Sequence, residues 1–182
     1  MFQCLFVSVF LFLSCSAFAD PKLTLLGEHA LTRFEQADLA LMMNDMLRWI
    51  AKHSAYPRAN ELPVVEFVPP KVLDPECEHY CPVAQFTPEG KLLLSKVLDI
   101  FHDPLEASVV FHELAHYVQW RSGKYIHKEG ASECEEDLAR ENEAYAMQHA
   151  YYSAHGGYLM PFQTPQFFCG NDGKLSAYPA DH

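Results

Sequence analysis

A small α+β domain is predicted by three features of the sequence. Three helix starts carry capping residues, a strand and hairpin pattern lies between the first two, and 182 residues suit one core rather than two. Thr32-x-x-Glu35 is a capping box, in which each side chain satisfies a free backbone N–H. It opens a helix expected from Arg33 to about His53, with Leu39, Met42, Met43, Met46, Leu47 and Ile50 at helical spacing. The methionines read as core filler. Leu62 to Val68, bounded by Pro63 and the Pro69-Pro70 pair, reads as a strand. Val83 to Phe86, the turn Thr87-Pro88-Glu89-Gly90 and Lys91 to Ser95 read as a hairpin.

Asp103-Pro104-Leu105-Glu106 opens the second helix with an acidic N-cap and proline at the first helical position. Gly123 can close it, because glycine takes the left-handed conformation at little cost. Ser132-x-x-Glu135 is the third start, and Gly156-Gly157 ends that helix. Residues 158–182 carry Pro161, Pro165 and Pro179 and read as an irregular tail over the surface. The expectation is about three helices plus a short antiparallel sheet.

The 49% hydrophobic and 20% charged composition is ordinary for a globular protein, and there are no internal repeats. A formal net charge of -11 argues against nucleic acid or an anionic membrane as partner. The acids cluster between Glu129 and Glu143, mostly as a solvated helix face.

Residues 1–19 read as a signal peptide. Leu5 to Leu13 is apolar except for Ser8 and leads to Ala17-Phe18-Ala19, a signal-peptidase pattern. The run is too short to span a bilayer as a stable anchor. The mature domain would be 20–182, periplasmic or secreted. A competing reading places lipid on Cys15, although Phe12 is a poor residue to begin such a box. Cleavage leaves Cys77, Cys81, Cys134 and Cys169, an even count that favours two disulfides in an oxidising compartment. Of three pairings, Cys77–Cys81 with Cys134–Cys169 is favoured. A four-cysteine zinc site is the rival, poorly served by the long gap between Cys134 and Cys169.

The second helix contains His112-Glu113-Leu114-Ala115-His116, the H-E-x-x-H pattern of zinc hydrolases. Residues four apart differ by about 40° around a helix axis, so both imidazoles can share one Zn2+ ion. Zinc lowers the pKa of a bound water towards neutrality, and Glu113 lies where it can take the proton. The alternative is a surface helix with two solvated histidines. Against it, Phe111, Leu114, Ala115 and Val118 form an apolar face, with Leu105, Val109 and Trp120 on the histidine side. A helix apolar on nearly every side is buried, and buried histidines need partners.

Catalytic zinc takes three protein ligands and keeps a fourth position open. A third histidine six residues after the motif is excluded, because that position is Ser122. Glu143 is the preferred third ligand, on a stripe of Ala139, Ala146, Met147 and Ala150 that could pack closely. Glu136, on the same face but about 10 Å away along the axis, is the rival. Glu135 and Glu141 read as solvated acids.

With these residues together, the chain resembles a minimal gluzincin. His112-Glu113-x-x-His116 followed by Asn142-Glu143-Ala144 is similar to the segment in which thermolysin-type peptidases place their third ligand. The interval from His116 to Glu143 is longer than in thermolysin. It is similar to that in short regulator-cleaving zincins related to phage-repressor peptidases. A further similarity is to small exported bacterial zincins with His-Glu-Leu-x-His and a later Glu-Ala-Tyr-Ala-x-Gln, here His112 to His116 and Glu143 to Gln148. The resemblance covers about residues 83–152 and implies a zincin-like fold and peptidase chemistry.

Two departures stand out. Met147 occupies the place of the aspartate that orients a zinc histidine, and no oxyanion-histidine domain follows. Tyr80, Tyr125, His127 and His149 are candidate oxyanion donors, while Tyr145 reads as core. Gln119, near the histidine face, can support a ligand. Lys91 to Ser95 occupies the place of the edge strand that holds peptide in zincins, or simply supports the helix.

The expectation is an exported zinc metallopeptidase acting on peptide or envelope protein. His112, His116 and Glu143 are its ligands and Glu113 its general base. The alternatives are a zinc-binding sensor and a structural envelope protein without turnover.

Overall fold

All three capping signals open helices in the computed structural model, which describes residues 23–26, 31–75, 82–123, 132–158 and 166–177. The signal segment 1–19, Cys77, Tyr80, Cys81, Tyr125 and His127 lie outside the described residues. In chain order the elements are β1 (Thr24–Leu26), α1 (Arg33–His53), β2 (Val64–Val68), α2 (Pro70–Leu73), β3 (Ala84–Phe86) and β4 (Lys91–Ser95). They continue with α3 (Pro104–Arg121), α4 (Glu133–Ala154), β5 (Phe167–Cys169) and β6 (Leu175–Ala177). The class is α+β.

The helix boundaries follow from local chemistry. Both arms of the capping box form at Thr32 and again at Ser132. The Asp103 carboxylate accepts from the backbone N–H groups of Leu105 and Glu106 at 2.8 and 3.3 Å. Gly123, just past α3, has φ +73°, the conformation the stop signal required.

The sheet departs from expectation. Its order is β1-β2-β4-β3, with β1–β2 and β2–β4 parallel and only β3–β4 antiparallel. Parallel neighbours need a crossover, and α1 supplies it between β1 and β2. At three residues, β1 is too short to show a hydrophobic period. The one-turn helix α2 follows from Pro69-Pro70, with proline at the first helical position. The supposedly irregular tail contains the β5–β6 hairpin, whose turn includes Gly173 at φ +76°.

One face of the sheet builds the core. Val65 pairs with Leu92 and Phe67 with Leu94, which also faces Ala84, so alternate residues share a side. Against them pack Leu39, Met43, Met46, Leu47 and Ile50 of α1, and Val110, Phe111, Leu114 and Val118 of α3. Phe111 stacks on Tyr151 of α4 with ring centroids 4.2 Å apart and meets Trp49 of α1 edge-on at 5.4 Å. Truncating a fully buried phenylalanine of this kind costs about 3–5 kcal/mol.

Cys134 and Cys169 form the expected disulfide, with Cα atoms 5.8 Å apart, joining the first turn of α4 to β5. Replacing both with serine should remove about 2–4 kcal/mol. Calorimetry should then show Tm lowered by about 5–15 °C relative to the oxidised wild type.

Candidate metal centre

Every residue of α3 from Val110 to Gln119 is buried. Among the apolar side chains in that stretch stand His112, Glu113, His116 and Gln119. Burying such groups is costly unless each finds a partner, and the site is the set of partners they find.

The two imidazoles face each other and α4. Their Nε2 atoms are 3.0 Å apart. Glu141 meets both, with Oε2 3.3 Å from His112 Nε2 and Oε1 3.2 Å from His116 Nε2. Among the described residues, His112, His116 and Glu141 form a group able to hold a metal ion. A tetrahedral ion with bonds of about 2.0–2.1 Å sets neighbouring donors about 3.3 Å apart, so the spacing fits. Burial pushes the Glu141 carboxyl up, but the hydrogen bonds and charges of His112 and His116 outweigh it and hold the pKa at about 2. Burial would lower His116, yet its bond to Glu141 and the charges of Glu113 and Glu141 leave it raised. The Glu141 carboxylate is held between the two imidazoles.

Glu143, the expected third ligand, is elsewhere. Its Oε2 accepts from the Tyr56 hydroxyl at 2.5 Å and from Gln119 Nε2 at 3.1 Å. Residues two apart on a helix differ by about 200°, so Glu141 and Glu143 cannot face the same ion. The alanine stripe misleads because Ala139, Ala146 and Ala150 are exposed, whereas the packed face carries Cys134, Ala144 and Gln148. Glu136 is not in the group either. The signal available in the sequence is Cys134: a residue tied to the tail faces protein, and two turns on from it stands Glu141.

Glu113 lies beside the triad, with its Oε2 accepting from the Phe86 backbone N–H at 2.6 Å. Phe86 ends β3, which, unlike Lys91–Ser95, is an edge strand of the sheet; β4 is paired on both sides. The β3–β4 turn is held against α3 at Gly90, which has φ +81°. A Cβ there would meet the Trp120 ring at 3.1 Å, so glycine answers both the backbone and the close approach.

Tyr145, read from sequence as core, borders the metal group, its ring centroid 4.1 Å from that of His112. Burial, with the charges of Glu141 and Glu113, raises its phenol well above the ordinary value and keeps it a neutral donor. Phe167 of β5 packs behind it at 5.8 Å, so the disulfide anchors a hairpin that backs the site. Of the other oxyanion candidates, His149 is exposed and pairs with the Tyr158 ring.

No protein-family model, curated protein or solved structure matches the chain.

Glu141→Ala should cut metal affinity by more than the about 10–100-fold that follows loss of a ligand's outer partner, because a donor itself is gone. Glu136→Ala should leave affinity unchanged. Titration with zinc against a competing chelator checks both.

Proposed function

We propose that the chain is a zinc hydrolase of gluzincin type, most simply a metallopeptidase. The observation that carries the reading is the division of labour on α3. His112 and His116 join Glu141 in a three-donor group, while Glu113 stands outside it with one oxygen on a backbone amide. Two imidazoles and one carboxylate are a donor set of catalytic zinc, which leaves a fourth position for water or substrate.

Zinc bound there supplies Lewis acidity to water and to a substrate carbonyl. The side chains do the rest. Anchoring Oε2 on the Phe86 N–H fixes the Glu113 carboxylate, and its other oxygen takes a proton from the attacking water and returns it to the leaving amine. The neutral Tyr145 phenol supplies a hydrogen bond to the developing oxyanion. Substrate lies along the β3 edge as an extended peptide. The disulfide agrees with an exported, oxidising setting, and peptides or envelope proteins are the substrates expected there.

A zinc-binding sensor or structural protein without turnover is the second reading. Exposures of only 6–8% at His112, Glu113 and His116 favour it, because a reacting group needs access.

Glu113→Gln distinguishes the two. Glutamine keeps the size and can still accept from the Phe86 N–H, so zinc stoichiometry should stay at wild type. Turnover of a peptide library, read by mass spectrometry, should fall by about 10²–10⁴-fold. Equal cleavage by both proteins removes Glu113 from the role, and a zinc-loaded wild type that cleaves nothing establishes the second reading.

A further inference from the structure

We infer that Glu143 is a positioning residue: acting through Gln119 together with the Arg140 carbonyl, it fixes which ring nitrogen of His116 carries the proton and so aims the Nε2 lone pair at the metal. The inference rests on the metal-binding reading above. It concerns a chain of contacts outside the donor group.

Donor and acceptor capacity sets the polarity of that chain. Gln119 is fully buried, and its Nε2 faces two oxygens, the Arg140 carbonyl at 3.1 Å and Glu143 Oε2 at 3.1 Å. A backbone carbonyl and an ionised carboxylate only accept hydrogen bonds. The amide edge turned to α4 must therefore be the NH₂, whichever way an isolated glutamine would lie. That leaves Oε1 facing His116 Nδ1 at 2.9 Å. An amide oxygen only accepts, so Nδ1 must carry the hydrogen. A neutral imidazole protonated at Nδ1 has its lone pair on Nε2, the atom facing Glu141 and His112.

Tyr56 completes the arrangement. Its hydroxyl, on a side chain 4% exposed, donates to the same Glu143 oxygen, so two donors hold the carboxylate in place. The line Tyr56–Glu143–Gln119–His116 thus spans the segment after α1, then α4 and α3, and each step has one polarity. His112 has no such support: its Nδ1 is buried and lacks a partner among the described residues. The two ligands differ, and the assisted one is His116.

Glu143→Gln tests this polarity. The substitution is isosteric but can turn NH₂ towards Gln119, so the Arg140 carbonyl alone is left to hold the amide orientation. Zinc affinity, by chelator competition, should fall about tenfold, the lower end for losing a ligand's outer partner. In the zinc-loaded proteins, the His116 Nδ1–H proton should give a protected, hydrogen-bonded NMR signal in wild type. It should shift and exchange faster in Glu143→Gln. Tyr56→Phe should move both readouts in the same direction, by less.

Unchanged affinity and an unchanged Nδ1–H signal in Glu143→Gln would overturn the inference while leaving the metal site intact. A wild type that binds no zinc in the same titration brings down the metal reading itself.

Discussion

The structure depends on one constraint: α3 is buried on all sides through its middle yet carries four polar side chains there. Water is not available to them, so each must be answered by another element. Glu113 is answered by the backbone of β3, His112 and His116 by Glu141 of α4, and Gln119 by Arg140, Glu143 and His116. The arrangement of the sheet edge and of α4 about α3 is the arrangement that meets these demands. Apolar contacts such as Phe111 on Tyr151 and Trp49 hold the elements at that distance.

Around this helix the contacts form layers. Trp120 closes over Gly90 at one side and fixes the β3–β4 turn, and with it the amide that anchors Glu113. Tyr145 covers His112 on another side, and Phe167 covers Tyr145 from a hairpin tied to α4 by Cys134–Cys169. The disulfide therefore has two consequences. It limits the unfolded chain, and it keeps apolar surface over the donor group, where low dielectric strengthens each electrostatic contact.

The acidic helix α4 illustrates how one turn of geometry separates roles. Glu141 and Glu143 are two residues apart and point to different sides, one to the histidine nitrogens, the other to Gln119 and Tyr56. Counted from Glu141, the position four residues on is Tyr145, not Met147. There the Tyr145 ring lies against His112. Support for His116 comes from α3 itself, through Gln119.

The starts of the three long helices were legible in the sequence. Helix starts at Thr32, Asp103 and Ser132 are written by side chains that cap their own backbone, so α1, α3 and α4 begin where those residues stand. The pairing of His112 with His116 follows equally from helical spacing, and the burial of α3 from its apolar surroundings. Neighbouring-strand order, the edge position of β3, the β5–β6 hairpin and the choice of Glu141 over Glu143 were decided only by tertiary structure. The physical reason is common to all four. Each depends on which face of an element meets another element, and on α4 the acids alternate around the helix while Ala139, Ala146 and Ala150 occupy the solvent side. Periodicity alone then marks the wrong face as the packed one. Only the closure of α4 onto α3, with Cys134 held to the tail, selects the carboxylate that reaches the histidines.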